Sequence, residues 1–470
     1  MKKFFEKNDI IKMLLVVLLV VVVASWIMPA SYFESGKLVT DEIQRIGIFD
    51  IATYGSLGFY YFPTIFAYIL CVGMFYKILG STKVYDSLTT NIANKLKGKE
   101  KVFVGINILV YGLLANVVSE HLALLMLIPF TISILAKLKV NKISALVATF
   151  GGVLLGILTN TYSSNIVGNL ANSETGLGVA YGYEFLSHLI LFIISYLILT
   201  FLTFKKMDDT KAEEVKDLFI AEPKAETKKV KVKTLGLGII LGFVFVVSIL
   251  AFIGWDTAFG ITFFTDLHEK IISATIGDNT IFYYLLGSTG QTPTFHAFGS
   301  WDLFGLIALM IIGLLLIKFV YRLSLNKIVD EAKNGLVKII KPFGIVFMCY
   351  AIVAIALTFP TVSYVISKIL GLGSNIFTQL ISSIVGGLII PDFHYNTINI
   401  ASAFSTASNV NVAAMAYQFG YGIISFIAPT SVMLVFGLSM LDIKFKDYFK
   451  FIWKFLLALI VVVIAILIIA

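Results

Sequence analysis

The sequence is poor in charged residues and in cysteine, and each shortage excludes a class of protein. Only 14% of the 470 residues are charged, whereas about a quarter are charged in an ordinary soluble domain. This deficit excludes an ordinary globular enzyme. The two cysteines, Cys71 and Cys349, lie in separate apolar stretches and fit no metal-binding or redox spacing. We expect two buried, inert thiols.

Motifs of soluble catalysis are also absent. The sequence contains no P-loop, no dinucleotide-binding GxGxxG turn, no HExxH and no GxSxG. We therefore expect no enzyme activity, no cofactor and no metal. The lysines behind the net charge of +8 lie in short loops between apolar runs. Lysines in that position orient a membrane protein, so we expect no nucleic-acid partner.

Hydrophobic residues are abundant, at 58% of the chain, and occur in runs near the length that crosses a ~30 Å hydrocarbon core. The first run, residues 11–29, follows a basic stretch, so a cleaved signal peptide is the alternative to a retained span. No small-residue cleavage site follows, and the run is too long for a signal peptide. We expect a retained span. The lysines Lys2, Lys3, Lys7 and Lys12 then place the N-terminus in the cytoplasm of a bacterial inner membrane.

The lysine distribution predicts two transmembrane halves. Residues 1–204 form the first repeat, residues 205–233 a lysine-rich cytoplasmic linker, and residues 234–470 the second repeat. Acidic side chains outnumber lysine in residues 255–302, and residues 173–184 contain no lysine, so we expect both segments outside, together with the loop 31–57 and the C-terminus. Spans are expected at residues 58–76 and 342–359. We expect an all-α polytopic membrane protein with about nine spans plus two hairpins that enter the bilayer without crossing it.

The first half contains a hairpin candidate with a polar tip. Residues 102–136 are apolar, have lysines on both sides, and carry NVVSEH at 116–121 in their centre. One reading is a pair of tight spans with Glu120 at the outer surface. The other is a re-entrant hairpin whose tip stops inside the membrane, and we favour it. The next run, residues 144–172, is interrupted by TNTYSSN at 159–165, which predicts a broken helix with backbone groups available to a ligand.

The second half repeats both features with the opposite predicted orientation. Residues 375–407 carry PDFHYN at 391–396 and enter from outside, and residues 410–437 are interrupted at 420–422 and 428–431. An inverted repeat with a re-entrant hairpin and a broken helix in each half is typical of secondary transporters with a site near the bilayer midplane. A channel or a non-transporting membrane scaffold is the alternative, although no filter motif or pore-lining stripe is present.

Several segments also carry a family resemblance. The chain resembles the YfcC family of membrane carriers in SWIMP at 25–29, AYQFGYG at 416–422, IAPTS at 427–431 and DIKFKDYFK at 442–450. This family is related to the C4-dicarboxylate anaerobic carriers of the ion-transporter superfamily. The resemblance covers nearly the whole chain and implies a homodimer whose substrate is a C4-dicarboxylate or an amino acid, as in arginine–ornithine exchange. Tyr421 departs from the family, which has aspartate there, and PDFHYN replaces a serine- and glycine-rich tip.

The candidate binding residues are polar side chains at the hairpin tips and helix breaks. They are Asn116, Ser119, Glu120, Asn160, Thr161, Ser163, Asn165, Asp392, His394, Asn396, Tyr421, Thr430 and Ser431. Carboxylates inside a membrane are costly and usually functional, which applies to Glu120 and Asp392. His121 and His394 beside them can relay protons. The alternative role for all these side chains is to cap helices or to join them by hydrogen bonds.

The charge of the substrate is the least determined property. The only arginines, Arg45 and Arg322, lie in loops, so no guanidinium is available inside the membrane to clamp a dicarboxylate. Two buried acids without a basic partner favour a cation or zwitterion, such as a basic amino acid. The expected partners are therefore a small organic ion, the lipid bilayer, and H⁺ or Na⁺ as the coupling ion.

Overall fold

A computed structural model describes residues 8–210, 212–220, 233–286, 296–373 and 375–470. Three of the four N-terminal lysines, Lys2, Lys3 and Lys7, and much of the predicted linker lie outside these ranges. Helices dominate the described residues, and the strands form two short antiparallel hairpins, β1 (Ser31–Glu34) with β2 (Lys37–Thr40) and β3 (Thr275–Ile276) with β4 (Asn279–Thr280). The chain is an all-α polytopic membrane protein, as its hydropathy predicts.

The described part of the first half contains eight main helices. They are α1 (Asp9–Ile27), α2 (Ile48–Tyr61), α3 (Pro63–Gly80), α4 (Lys83–Leu96), α5 (Glu100–Ala115), α6 (Ile128–Lys137), α7 (Lys142–Leu158) and α8 (Phe185–Met207). Three shorter turns matter for the site: the 3₁₀ turn His121–Met126, the π turn Ser164–Gly168, and Asn169–Ala171.

The described part of the second half contains twelve main helices. They are α9 (Leu235–Phe252), α10 (Trp255–Phe259), α11 (Phe263–Ser273), α12 (Ile281–Leu286), α13 (Leu303–Tyr321), α14 (Leu325–Thr358), α15 (Val362–Leu370), α16 (Ile376–Ile389), α17 (Phe393–Ile400), α18 (Val410–Ser425), α19 (Val432–Met440) and α20 (Phe445–Ile469). A 3₁₀ turn, Ala401–Phe404, follows α17.

Seven of the described helices are long and apolar enough to cross a bilayer: α1, α3, α8, α9, α13, α14 and α20. Two boundaries and one break differ from the sequence prediction. The break expected at 420–422 is absent, because α18 is continuous from Val410 to Ser425; the two glycines instead allow close packing against Ser383 and Leu158. The span expected from Pro342 is the second part of α14, which begins at Leu325 because the basic, amphipathic residues before the proline continue the helix. The predicted outer loop 31–57 contains β1, β2 and most of α2, which is capped where Asp50 Oδ2 accepts a hydrogen bond from Gly47 N at 2.7 Å.

Both predicted hairpins are helix–tip–helix units that are too short to cross the bilayer twice. In the first hairpin, α5 has 16 residues, and the second arm consists of the 3₁₀ turn His121–Met126 and α6, with 6 and 10 residues. The two arms are about 24 and 27 Å long at ~1.5 Å per α-helical and ~2 Å per 3₁₀ residue, against a core of ~30 Å. The hairpin packs against α7, and the second hairpin, α16 with α17, packs against α18. The re-entrant reading of residues 102–136 therefore fits better than two tight spans.

Helix ends that the lysine distribution predicts on one side of the membrane lie together. Lys142 at the start of α7 pairs with Glu213 at 2.7 Å, and Lys341 of α14 pairs with Asp442 after α19 at 3.0 Å. Asp9 at the start of α1 accepts a hydrogen bond from Lys446 N in the first turn of α20 at 3.2 Å. We call this side, where α1 and α7 begin and α8 and α19 end, the basic face.

Candidate functional site

A cavity of about 70 Å³ lies where the two hairpin tips meet the two interrupted helices. We call it the tip cavity. Its lining residues come from the first tip and break (Glu120, His121, Leu122, Ile157 and Asn165), from α14 (Tyr350), and from the second tip and break (Pro391, Asp392, Phe393, Tyr421, Ser425, Ser431, Val432 and Met433). The cavity thus joins residues from both halves of the chain.

Two carboxylates occupy equivalent places at the two tips. Each precedes the second arm of its hairpin and caps it: Glu120 Oε1 accepts a hydrogen bond from Leu122 N at 2.8 Å, and Asp392 Oδ1 accepts one from Tyr395 N at 3.3 Å. A carboxylate has two oxygens and about four acceptor positions, so capping leaves acceptor capacity in each group. Among the described residues, no lysine or arginine lines the cavity.

One buried side-chain amide, that of Asn160, stabilises the backbone at the first break. Asn160 Nδ2 donates to Ala115 O at the end of α5, at 2.7 Å, and Asn160 Oδ1 accepts from Ser163 N at 2.9 Å. Ser163 Oγ accepts in turn from Asn165 N at 3.1 Å and so starts the helical turn that follows. These bonds satisfy backbone groups that a broken helix exposes, and they place Asn165 at the cavity wall.

At the second break, hydroxyl groups form the hydrogen bonds to backbone carbonyls. Thr430 Oγ1 donates to Leu388 O at the end of α16, at 2.7 Å, and the Tyr421 hydroxyl donates to Pro391 O at the tip. Within the second hairpin, Asn396 Nδ2 donates to Ile390 O at 2.9 Å. The second tip is therefore fixed to the interrupted helix that follows it.

Two hydrogen-bonded clusters join the halves beside the cavity. Gln418 Nε2 of α18 donates to Asn160 O at 2.7 Å, and Gln418 Oε1 accepts from the Tyr183 hydroxyl at 2.7 Å. His394 Nδ1 lies 2.6 Å from Asn169 Oδ1. The loop before α8, which the sequence predicts outside, thus contacts α18 through Tyr183 and the first break through Gly182 N, which donates to Thr161 O at 2.9 Å.

The structure brings five of the thirteen predicted residues to the tip cavity: Glu120, Asn165, Asp392, Tyr421 and Ser431. Five others bond to neighbouring groups around the tips and breaks, namely Asn116, Asn160, Ser163, Asn396 and Thr430. The remaining three lie off the cavity wall: Ser119 bonds through its backbone to Phe252 O, Thr161 through its carbonyl to Gly182 N, and His394 to Asn169. A role in binding stays a prediction for all of them.

Two hydroxyl groups of the cavity wall are absent from the sequence prediction. Ser425 lies four residues after Tyr421, so both occupy one face of α18, and this spacing was a usable signal. Tyr350 comes from the middle of an apolar span of α14. No local pattern distinguishes Tyr350 from the tyrosines that pack in the core.

The arrangement suits a positively charged group. Carboxylate, amide and hydroxyl oxygens are the groups that hold hard cations and ammonium ions, and the cavity offers two carboxylates, the Asn165 amide, and the Ser425 and Ser431 hydroxyls. Its volume of about 70 Å³ is well below the ~300–1,000 Å³ of typical ligand pockets. An organic substrate therefore requires the tips to separate, whereas a single cation does not.

Comparison with known proteins gives a family match over most of the chain. The sequence model of the DcuC family, described as C4-dicarboxylate anaerobic carrier, matches residues 62–470. Among solved structures, the chain is similar to the YdaH transporter of Alcanivorax borkumensis, described as having an unusual topology. The identity is 12%, the match covers 98% of this chain and 97% of that one, and the TM-score is 0.37. No curated protein matches the chain.

Proposed function

Because this chain belongs to the family of C4-dicarboxylate anaerobic carriers, we propose that it moves a small organic ion by exposing the tip cavity to the two sides of the membrane in turn. The proposal rests on one observation above all: both hairpin tips and both interrupted helices contribute to one small polar cavity. Such an arrangement provides a site whose access changes when one hairpin moves relative to the other.

We further propose that the substrate carries a positive charge. Glu120 and Asp392 both line the cavity, and among the described residues no lysine or arginine lines it to balance them. A basic amino acid, as in arginine–ornithine exchange, supplies an ammonium or guanidinium group for these carboxylates. Its own carboxylate meets hydroxyl and backbone donors.

A C4-dicarboxylate is the second candidate, and the family match favours it. A dianion between two carboxylates is repelled unless cations or protons enter with it. This candidate therefore requires coupling to H⁺ or Na⁺ at Glu120 and Asp392, whereas exchange of a cationic substrate does not. The dependence on the coupling ion consequently separates the two candidates.

Counterflow in proteoliposomes tests the carrier mechanism. Vesicles loaded with unlabelled arginine, ornithine, succinate or fumarate are diluted into the labelled compound, and uptake is followed with and without a pH or Na⁺ gradient. We expect saturable uptake that is stimulated by substrate on the opposite side. Arginine or ornithine counterflow without a gradient supports the cationic substrate, and gradient-dependent succinate uptake supports the dicarboxylate. Unsaturable flux without trans-stimulation would indicate a channel and contradict the proposal.

The orientation in the inner membrane is part of the same proposal. We place the basic face in the cytoplasm, because lysine-rich loops stay on that side, and residues 255–302 outside. Single cysteines at Lys228, which lies outside the described residues, and at Asp278 test this in a variant without Cys71 and Cys349. We expect an impermeant thiol reagent to label position 278 in intact cells and position 228 only after lysis. External labelling at position 228 would invert the scheme.

A further inference from the structure

A second and much larger cavity, of about 770 Å³, opens on the basic face. We call it the basic-face cavity. Its charged lining residues are Asp9, Lys142, Lys205, Lys206, Asp209, Glu213, Lys341, Asp442, Lys444, Asp447, Lys450 and Lys454. They come from α7, α8, α14, α20, the start of α1, and the connections after α8 and α19. None of them lines the tip cavity, so this is a separate place in the molecule.

The acids of this cavity are engaged, and an excess of lysine remains. Four ion pairs account for four acids: Lys142–Glu213, Lys206–Asp209, Lys341–Asp442 and Lys450–Asp447, at 2.7, 2.7, 3.0 and 3.5 Å. The hydrogen bond and charge of Lys142 hold the pKa of Glu213 below its ordinary value. Asp9 accepts a backbone hydrogen bond. Within the described ranges, Lys205, Lys444 and Lys454 form no ion pair with an acid.

Two of these three lysines lie over aromatic rings of the spans. Lys205 Nζ is 5.4 Å from the Phe201 ring of α8, and Lys454 Nζ is 5.6 Å from the Trp453 ring of α20. The rings are 60% and 41% exposed on helices that pack against each other and cross the membrane. Lysines that extend from the apolar part of a span toward its end place their charge at the level of the lipid headgroups.

The surface beside the lysines is apolar and exposed. Leu197 on α8, and Leu457 and Val461 on α20, are 58%, 56% and 67% exposed. A ligand that satisfies this neighbourhood carries a negative headgroup and a hydrocarbon tail. A small soluble phosphate satisfies the lysines alone and leaves the adjoining apolar surface without a partner.

We propose that the basic-face cavity binds the phosphate of an anionic phospholipid through Lys205, Lys444 and Lys454, with the acyl chains along α8 and α20. The bound lipid joins the end of α8 to the α19–α20 connection. It therefore stabilises the ends of the two spans that border the interrupted helices.

Thermal unfolding in a neutral detergent tests this on the full-length protein. Phosphatidylglycerol is titrated against the wild type, a Lys205→Gln/Lys444→Gln/Lys454→Gln variant, and a control variant with Lys95, Lys333 and Lys338 changed to Gln. The control lysines are also exposed but lie off the cavity. We expect phosphatidylglycerol to raise Tm in the wild type and the control. In the cavity variant the apparent affinity should fall about a hundredfold, from roughly fivefold for each lysine.

Further arms decide between sources of the phosphate. Phosphatidylcholine should raise Tm little in all three proteins, and soluble glycerol phosphate should not raise it. Equal shifts with phosphatidylcholine, equal losses in the control variant, or an equal shift with glycerol phosphate would each overturn the proposal. If the triple variant does not fold, Lys444→Gln alone should still weaken the lipid effect about fivefold, and an unchanged titration would count against the site.

Discussion

The two hairpins are alike at their tips and differ in what holds them in place. In both, an acid caps the second arm, and a side chain of the following break bonds to the end of the first arm: Asn160 to Ala115, and Thr430 to Leu388. The two tips thus differ in sequence, and in both of them side chains form the hydrogen bonds that backbone groups inside a membrane require.

The two hairpins differ in the further hydrogen bonds that fix each of them to a neighbouring helix, which we call the supports. The first hairpin is also bonded to the spanning helix α3, where Tyr68 OH donates to Ala123 O at 3.0 Å and Tyr76 OH to Met126 O. The second hairpin is bonded chiefly to its own interrupted helix, through Tyr417 and Tyr421. The second hairpin is therefore fixed to α18. The first tip is bonded instead to α3, a spanning helix that packs against α14.

The largest expected effect concerns the two acids. Glu120→Gln should fold normally, because glutamine keeps the shape and the acceptor for Leu122 N. It should weaken binding of the transported cation by about 3 kcal/mol, roughly a hundredfold, since one of the two carboxylates that line the tip cavity is lost. Asp392→Asn should do the same if both acids share one cation. Uptake measured against pH and Na⁺ checks this. An unchanged rate and pH profile in Glu120→Gln would make that carboxylate structural.

The next prediction compares Asn160 and Thr430, the two side chains at the breaks that bond to the first arms of the hairpins. Asn160→Ala leaves Ser163 N unpaired, which costs roughly 1–3 kcal/mol, and also removes one of the two partners of Ala115 O, which His121 Nε2 contacts as well at 3.0 Å. Thr430→Ala leaves Leu388 O unpaired without the loss of a second hydrogen bond and should cost less. Unfolding in detergent measures the difference. Substrate affinity of the folded protein then tests the predicted binding role, and an unchanged Kd in both variants would limit these residues to the fold.

A smaller effect distinguishes the supports. Tyr68→Phe and Tyr417→Phe each remove one hydrogen bond and should each lower the free energy of unfolding by about 1 kcal/mol. Because Tyr68 ties the first tip to α3, we expect only Tyr68→Phe to change the transport rate at saturating substrate. Equal changes of rate in both variants would show that the supports do not differ in function.

The smallest effect compares two serines at corresponding helix starts. Ser163→Ala removes the cap on Asn165 N and should cost about 0.5–1 kcal/mol. Ser431 makes no capping bond and lines the cavity, so Ser431→Ala should change stability by less than about 0.5 kcal/mol while raising KM. The reverse pattern in unfolding and uptake assays would contradict the comparison.

The sequence predicted the spans, both hairpins and the breaks at 159–165 and 428–431 because polar stretches inside apolar runs have few alternatives in a bilayer. The break predicted at 420–422 was wrong, because glycines there serve close helix packing within the continuous α18. NVVSEH and PDFHYN both lie at tips. The helix α2 was missed because the lysine-based reading treated everything between the first two spans as an outer loop. The start of α14 was missed for a related reason, since hydropathy detects the apolar part of a helix and not its charged extension.

The site was less predictable than the fold. Asn160 and Asn165 are the same residue type five positions apart, yet one amide is used up in backbone bonds and the other faces the cavity. The choice depends on which backbone groups of the hairpin lie opposite, and these come from distant segments. Composition identifies the cluster of polar residues. Only the packed structure shows which of them bond to the backbone at the breaks and which line the tip cavity.

The two hydrogen bonds of the Gln418 side-chain amide have a consequence for evolution. Its oxygen is taken by the Tyr183 hydroxyl and its nitrogen by the Asn160 carbonyl, so the amide can be neither inverted nor replaced by glutamate without losing a partner. One half of the chain supplies the donor and the acceptor, and the other half supplies the amide that matches both. We expect positions 183 and 418 to covary among homologues, and hybrids that combine halves from different homologues to assemble only when this pair is matched.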